Sequence, residues 1–142
     1  MSKTSTRVLA ERVREFAWRL NRRASAASAG VGPFTASQEL IAVRIFQRPG
    51  LTGAELARLL LLTPQSINAT VATLIEGGWV TVERSETDGR RRELHLTAAG
   101  CQAVEQIRSA RSAWLSELLD ERLSACQRAD VKRALDHLDQ IF

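Results

Sequence analysis

Residues 62–78 read LTPQSINATVATLIEGG, a short segment that contains the signals for both ends of a helix. The hydroxyl of Thr63 can cap the first turn, and Pro64 follows at the first helical position, where its missing N–H costs nothing. Gly77 and Gly78 predict the end of the helix, because either can adopt the left-handed conformation of a C-terminal cap. The segment therefore predicts a helix from Thr63 to Glu76.

The two faces of this predicted helix differ in chemistry. One face is apolar and consists of Ile67, Val71, Leu74 and Ile75. The other face is made of small and hydrogen-bonding side chains, which can approach a surface closely and read the donors and acceptors of a major groove. Its members are Gln65, Ser66, Ala69, Ala72, Thr73 and Glu76, with Asn68 and Thr70 on the flanks. An ordinary surface helix has the same pattern, so the flanking sequence must decide.

A second short helix precedes this one. Thr52 and Glu55 have the spacing of a capping box, and the apolar pattern ends near Leu61. Only Leu62 separates that end from Thr63. Two short helices joined by a tight turn, the second with a polar outer face, predict a helix-turn-helix.

A β-hairpin is predicted directly after the two glycines. Residues 79–84 and 93–96 alternate in polarity, and Asp88-Gly89 between them is a strong turn signal. Three consecutive arginines, residues 90–92, lie beside the tip. The fold class that follows is mainly α with a small β-hairpin wing (α+β), a winged helix-turn-helix with flanking helices.

The flanking helices come from both ends of the chain. Residues 7–23 form an amphipathic pattern with an arginine-rich outer face, and residues 24–33 are small and turn-rich, which predicts a loop. Thr35 and Gln38 predict the capped start of a helix that is apolar nearly all round and therefore deeply buried; Pro49-Gly50 ends it.

Two helices are predicted after the hairpin. Thr97 caps a long one whose apolar seam begins at Cys101, and Ser124 caps the last. The last helix places Val131, Leu135, Leu138, Ile141 and Phe142 on one side. Such a side is unfavourable in water unless it meets a partner.

Composition limits the class of protein. The 142 residues suit one domain with appended helices, and an apolar fraction of 44% is typical of a globular protein. No apolar run reaches the roughly 18 residues of a membrane-spanning helix, and no secretory signal is evident, so we expect a cytoplasmic protein. The net charge of +4 permits a polyanionic partner, although residues 1–23, with seven basic and two acidic side chains, hold the excess.

The chemistry of the predicted parts fits DNA. The helix after Thr63 has no Lys or Arg, so base contacts should come from Gln65, Ser66, Asn68 and Thr70. Phosphate contacts should come from the helix N-termini at Thr52 and Thr63 and from arginines of the hairpin. These arginines are Arg84, Arg90, Arg91 and Arg92, with Arg58 as a further candidate.

Catalysis has little support in the sequence. His95, between Leu94 and Leu96, should point out of a strand and be solvated or stabilise the wing, and no nucleophile accompanies His137. Cys101 and Cys126 have no metal-like spacing to each other or to a histidine, so we expect no metal and no cofactor. We expect both thiols to be reduced and buried, with a redox switch as the alternative.

The pattern Asp88-x-Arg90-x-x-x-Leu94-x-Leu96-Thr97-x-x-Gly100 resembles the wing signature of MarR-family transcriptional regulators. The preceding Glu55-Leu56-Ala57 and the order of elements over nearly the whole chain are similar too. One difference is Val82, where the family usually has an arginine; which arginine secures the base of the wing therefore stays open.

The resemblance implies a cytoplasmic homodimer that binds a pseudo-palindromic operator and responds to a small phenolic or lipophilic effector. It implies that Asp88 braces the wing and that Arg90 or Arg91 enters the minor groove. It also implies an effector pocket among the flanking helices, with core packing as the simpler alternative for the same side chains. These side chains are Phe16, Trp18, Leu20, Ile45, Phe46 and Trp114.

The resulting hypothesis is a dimeric, sequence-specific DNA-binding transcriptional regulator, more specifically a repressor released by an effector, and not an enzyme. Within a single domain over 1–142, residues 35–100 are the expected DNA-binding core, and 1–34 and 101–142 the dimerisation helices. The expected DNA-binding residues are Thr63, Gln65, Ser66, Asn68, Ala69, Thr70, Thr73, Arg84, Arg90 and Arg91. The alternatives are a winged-helix protein-interaction module without DNA binding, and a redox-sensing regulator that uses Cys101 or Cys126.

Overall fold

The computed structural model describes residues 3–141, which form six helices and one antiparallel two-stranded sheet. The helices are α1 (Lys3–Ala27), α2 (Ala36–Gln47), α3 (Gly53–Leu60), α4 (Pro64–Glu76), α5 (Ala98–Arg122) and α6 (Ala125–Leu138). The strands are β1 (Val80–Arg84) and β2 (Arg92–Leu96). The predicted fold class, mainly α with a hairpin wing behind a helix-turn-helix, is confirmed. No helix in the described part of the chain is long and apolar enough to cross a membrane.

Two compact units share these elements. Gly30–Arg108 form the central unit, and the described residues up to Ala29 and from Ser109 onward form the terminal-helix unit. Helix α5 belongs to both units. The central unit contains the whole helix-turn-helix and the hairpin.

Hydroxyl caps fix where the helices begin. Complete capping boxes start α2 at Thr35, α3 at Thr52 and α6 at Ser124, with the side chain three residues later returning a hydrogen bond to the cap. Helix α4 begins with Thr63 and Pro64, as predicted. These caps satisfy N–H groups that have no partner inside a helix, so they encode the boundaries locally.

The hydrophobic core lies in the central unit, where α2, α3 and α4 pack with the base of the hairpin. Strand β2 pairs with β1 in the register Val82↔Leu94 and is bridged on its other side by Leu51. The buried side chains of this core are Ile41, Ile45, Leu51, Leu56, Ala57, Ile67, Val71, Leu74, Val80 and Leu94. The buried apolar side chains of the hairpin, Val80 and Leu94, therefore lie towards its base and not at its tip.

Gly100 explains the last position of the wing signature. A Cβ on this residue would overlap the backbone carbonyl oxygen of Trp79. The same junction is held by Thr97, whose N–H donates to Trp79 O at 3.0 Å and whose hydroxyl donates to Gly78 O at 2.7 Å. Thr97 also accepts from Gly100 N–H at 3.0 Å, which caps α5 as predicted. This close packing connects the end of the hairpin to the start of α5.

The terminal-helix unit is built differently. Among its described residues no apolar side chain is buried, and only Ser28 is, where it accepts a hydrogen bond from Arg111 Nε at 2.9 Å. Its large apolar side chains are instead exposed. They are Val8, Leu9, Val13, Phe16, Trp18, Val131, Leu135, Leu138 and Ile141. This includes each predicted dimerisation residue except Phe142, which lies outside the described residues.

Several local expectations were wrong. Helix α1 runs on to Ala27, into the predicted 24–33 loop, because alanines there favour helix before the glycines begin. Leu40 is 42% exposed, so α2 is not buried all round. Ile75 is also exposed, because a helix turns 100° per residue and carries it past the edge of the face that Leu74 occupies.

The cysteines are the other correction. Cys101 and Cys126 are both free thiols, and both are exposed, not buried. Helix α5 instead buries Ala103, Val104 and Ile107, which shifts its apolar seam away from Cys101.

Candidate nucleic-acid interface

The turn between α3 and α4 sets the angle at which α4 leaves the core. Leu61 closes α3 in the left-handed conformation, with φ of 54°, and Leu62 N–H donates to Ala57 O at 3.0 Å. Thr63 then caps α4 by accepting from Ser66 N–H at 3.2 Å. Leu61 is the only residue other than glycine with a positive φ in the described chain.

Helix α4 buries Ile67, Val71 and Leu74 and exposes its polar face. Three hydroxyls on or beside that face are already engaged. Thr63 Oγ1 donates to Ser66 Oγ at 3.0 Å, and Thr70 Oγ1 donates to Ser66 O at 3.1 Å. Thr73 Oγ1 donates to Thr70 O at 2.7 Å and accepts from Gln38 Nε2 at 3.0 Å.

The side-chain amides of the same face, unlike its hydroxyls, are not engaged within the described part of the protein. The side chains of Gln65 and Asn68 are exposed and make no hydrogen bond with other described residues. Asn68 lies beside the first turn of α3, with Oδ1 3.3 Å from where a Cβ on Gly53 would be. Each amide offers both a donor and an acceptor, the combination that can pair with adenine. Ala69 adds an exposed methyl group to this face.

The wing is the hairpin β1–β2 with the turn over residues 85–91. Asp88 closes its tip: Oδ1 accepts from Arg90 N–H at 3.1 Å, and its carbonyl accepts from Arg91 N–H at 2.9 Å. Ser85 is buried beneath the turn, and its N–H donates to Arg91 O at 3.0 Å. This geometry leaves the side chain of Arg90 exposed at the tip.

Arg91 lies beside Arg90 in sequence but has a different environment. Its Nη1 and Nη2 donate to the two oxygens of Glu55 at 2.7 and 2.8 Å, a bidentate pair. Nη2 also donates to Gly50 O at 3.1 Å, and Nε donates to Glu93 Oε1 at 3.2 Å. The guanidinium thus connects the wing to the start of α3 and to the turn before it.

The ion pair alters both ionisations. The hydrogen bonds from Arg91, followed by that from Thr52 N–H, lower the pKa of Glu55 from 4.5 to about 2. The same hydrogen bond from Glu55 raises the pKa of Arg91 above its ordinary value. Both groups therefore stay charged over the whole physiological range.

His95 lies on the same strand as Glu93. Its Nε2 is 3.5 Å from Glu93 Oε2 and 3.8 Å from Glu83 Oε2. His95 is thus flanked by carboxylates and not simply solvated. Among the described residues, no group of histidine, cysteine and acidic side chains could hold a metal ion.

The residues predicted for an effector pocket have varied surroundings. Leu20 and Trp114 line a shallow cavity of about 300 Å³ in the terminal-helix unit, together with Asn21 and Arg111. In the same unit Phe16 and Trp18 are exposed, with the guanidinium of Arg22 over the Trp18 ring.

Two further predicted pocket residues belong to the central unit. Ile45 is a core residue there. Phe46 is covered by the guanidinium of Arg108.

Sequence reasoning missed Glu55 and Gln38 as parts of the interface. Both were predicted only as capping residues, and both do cap helices. In addition, Glu55 binds Arg91 of the wing and Gln38 binds Thr73 of α4. A signal existed for Glu55. The other two capping boxes of the chain use glutamine at this position, so a charge there is more than a cap requires.

The central unit has the architecture of a winged helix-turn-helix protein, with an exposed polar second helix and an arginine-bearing hairpin. Comparison with known proteins agrees. Residues 39–91 match the family model described as MarR family. The HTH-type transcriptional repressor Rv2887 of Mycobacterium tuberculosis is 35% identical over 101 residues, which are 70% of this chain and 72% of the repressor.

Solved structures extend the match to nearly the full chain. The Mycobacterium tuberculosis MarR family protein Rv2887, in complex with p-aminosalicylic acid, is 30% identical, with 92% of this chain and 98% of that one covered and a TM-score of 0.67. A MarR family protein from Bacillus stearothermophilus shares the fold, with a TM-score of 0.79 at 22% identity and coverage of 99% and 96%. The chain belongs to the MarR family of transcriptional regulators.

Proposed function

We propose that this protein is a dimeric, sequence-specific DNA-binding regulator that represses transcription from a pseudo-palindromic operator and is released by a small-molecule effector. The observation that carries the proposal is the arrangement of the central unit. Helix α4 of the helix-turn-helix has an exposed polar face without Lys or Arg, and it is followed by a wing with arginine at its tip. In this arrangement α4 would recognise bases, and the wing would bind the phosphate backbone. The proposed action on DNA implies that the protein is located in the cytoplasm.

Base recognition belongs mainly to Gln65 and Asn68. Their amides are exposed and without internal partners, whereas the hydroxyls of Thr70 and Thr73 already donate to backbone carbonyls. Ser66 and Thr63 form the capped N-terminus that would meet a phosphate. Ala69 suits contact with a thymine methyl group.

Affinity comes from the wing. Arg84, Arg90 and Arg92 are exposed, and Arg58 adds an exposed cation on α3. Arg90, at the tip closed by Asp88, is positioned to enter a minor groove, where the negative potential is strongest. Each such cation that meets DNA releases counterions and so makes binding salt-dependent.

The dimer is supported by the exposed apolar side chains of the terminal-helix unit. Val131, Leu135, Leu138 and Ile141 follow one another along the end of the chain at helical spacing, and all are exposed. A second copy of the same surface is the partner that could cover them in a symmetric interface. Two copies would present two α4 helices to two half-sites about one helical turn apart.

The effector proposal rests on the cavity beside Leu20 and Trp114 and on the relative's complexes with p-aminosalicylic and salicylic acids. A small phenolic or lipophilic molecule matches the mixture of indole, aliphatic and polar groups there. Titration with salicylate while tryptophan fluorescence is followed should give a saturable change that Trp114→Phe abolishes. An unchanged saturable signal in that variant would place the site elsewhere.

Binding to DNA is tested by fluorescence anisotropy with a duplex from the promoter of the protein's own gene. We expect the double variant Arg90→Ala, Arg91→Ala to weaken binding to all sequences, and its salt slope to be flatter. Gln65→Ala should instead relax base preference. The double variant Arg12→Ala, Arg14→Ala, which removes two exposed arginines of α1, is the matched control for charge.

Two results would contradict the proposal. Unchanged affinity in the double arginine variant would remove the wing from the interface. A wild-type protein that changes the anisotropy of no duplex at low salt would favour the other class of function, a winged-helix module that binds protein. The argument for that class is that α4 has no Lys or Arg.

A further inference from the structure

Glu55 does two things that a capping residue need not do together. Its Oε2 accepts from Thr52 N–H at 2.9 Å, the return half of the α3 capping box. Gln38 and Gln127 perform the same task in α2 and α6 through a neutral amide oxygen. A cap therefore needs only an acceptor at this position, and the negative charge of Glu55 serves its second partner, Arg91.

Arg91 is committed to protein acceptors. Its hydrogen bonds to Glu55, Gly50 and Glu93 occupy four of the five N–H groups of the guanidinium. The side chain is 35% exposed, in contrast to Arg90, which is bonded to nothing through its side chain among the described residues. A guanidinium held in this way has little left to offer a phosphate.

The contact of Arg91 with Glu55 and Gly50 lies where the wing needs support. A two-stranded hairpin has little stability of its own, and the buried apolar side chains of this one, Val80 and Leu94, lie towards its base. Arg91 lies at the other end, directly before β2, and reaches the first turn of α3 and the carbonyl of Gly50. Gly50 has φ of +87°, which lets the chain turn there with its carbonyl towards the guanidinium.

We propose that Arg91 is a positioning residue: through Glu55 and the Gly50 carbonyl it fixes the wing against the helix-turn-helix, and it does not itself contact DNA. This inference rests on the proposed DNA-binding function and assigns Arg90, with Arg92, the contact that the sequence left open between Arg90 and Arg91. Fixing the wing before binding lowers the entropy that is lost when the complex forms.

Glu55→Gln separates the two roles, because glutamine keeps the cap, as at Gln38, and removes the charge. The sign of its effect is decisive. If Arg91 contacted phosphate, the variant would free a cation and bind DNA more tightly. If Arg91 positions the wing, the variant binds about three to ten times more weakly with an unchanged salt slope.

Arg91→Lys provides the second arm. Lysine keeps the positive charge but cannot form the bidentate, four-bond arrangement, so we expect the same weakening as in Glu55→Gln. Glu86→Gln is the matched control, because Glu86 is an exposed wing carboxylate with no ion pair among the described residues. Arg90→Ala should weaken binding and reduce the salt slope by about one for each of the two wings of the dimer.

Hydrogen exchange of the free protein gives a readout that does not need DNA. Amides of residues 85–92 should exchange faster in Glu55→Gln and Arg91→Lys than in wild type or Glu86→Gln, with overall unfolding still cooperative. Tighter or equal DNA binding by Glu55→Gln, or wild-type exchange in both variants, would overturn the inference. If wild type binds no duplex, the proposed function fails while the exchange experiment still tests the positioning role.

Discussion

The central unit and the terminal-helix unit use similar amounts of helix but bury apolar surface in opposite ways. In the central unit Ile41, Leu56 and Leu74 are at most 2% exposed. In the terminal-helix unit no described apolar side chain is buried, and Leu135 is 54% exposed. The hydrophobic effect scales with the area removed from water. Burial within a single chain therefore stabilises the central unit much more than the terminal-helix unit.

This difference separates what one chain can do from what two chains can do. The central unit contains a complete core and both parts of the proposed DNA interface. The terminal helices, in contrast, leave apolar side chains exposed that a second copy could bury. We therefore expect core substitutions to act on folding and terminal-helix substitutions to act on assembly.

The largest expected effect is in the core. Leu74→Ala should reduce the free energy of unfolding by about 4 kcal/mol, because Leu74 is fully buried and its truncation leaves a cavity. Urea unfolding measures the change. The matched substitution Leu135→Ala should cost less than about 0.5 kcal/mol in the isolated monomer. Equal losses at the two positions would break the comparison between the units.

Assembly should respond next most strongly. Leu135→Glu should convert the dimer to a monomer, as measured by light scattering, and weaken operator binding about 100-fold, because linked half-sites no longer act together. Leu59→Glu changes a similarly exposed leucine of the central unit and should leave the oligomeric state unchanged. A dimer that survives Leu135→Glu would remove α6 from the proposed interface.

A smaller gain in stability is expected at the turn before α4. Leu61 is 91% exposed and has φ of 54°, so its side chain contributes little packing while its backbone is strained. Leu61→Gly should stabilise the central unit by about 0.5–1 kcal/mol in chemical unfolding. Lower stability in this variant would show that Leu61 makes a contact that offsets the strain.

The smallest expected effect is the pH dependence of stability that arises from Glu55. Because the folded-state pKa of Glu55 is lowered from 4.5 to about 2, its ionisation stabilises the protein above pH 4.5, and this contribution is lost as the pH falls through about 2. The stability difference between wild type and Glu55→Gln should therefore be largest near neutral pH and shrink towards pH 2. A difference that is independent of pH would show that the ionisation of Glu55 does not contribute to stability.

Much of the fold was predictable because its signals are local. Thr35, Thr52 and Ser124 cap helices and Asp88-Gly89 lies in the turn of the hairpin, as expected. Such signals involve neighbours in the chain, so they do not depend on the rest of the molecule. The errors fell where packing decides: the exposure of Leu40 and Ile75 depends on how far neighbouring elements reach.

The candidate site was predictable only in part, for the same reason. Exposure of Gln65 and Asn68 followed from helical periodicity. That Thr73 is engaged by Gln38, 35 residues away in sequence, did not, because the pair forms only once α2 packs against α4. The exposure of Cys101 was likewise decided by which face of α5 the central unit buries.

The sequence by itself determined the order of the elements, their caps and the membership in a family of winged helix-turn-helix regulators, since these depend on residue spacing. Only the tertiary structure distinguished Arg90 from Arg91. The two arginines are adjacent and chemically identical, and a local pattern treats them alike. Glu55, brought to the wing from 36 positions earlier, occupies one guanidinium and leaves the other at the tip.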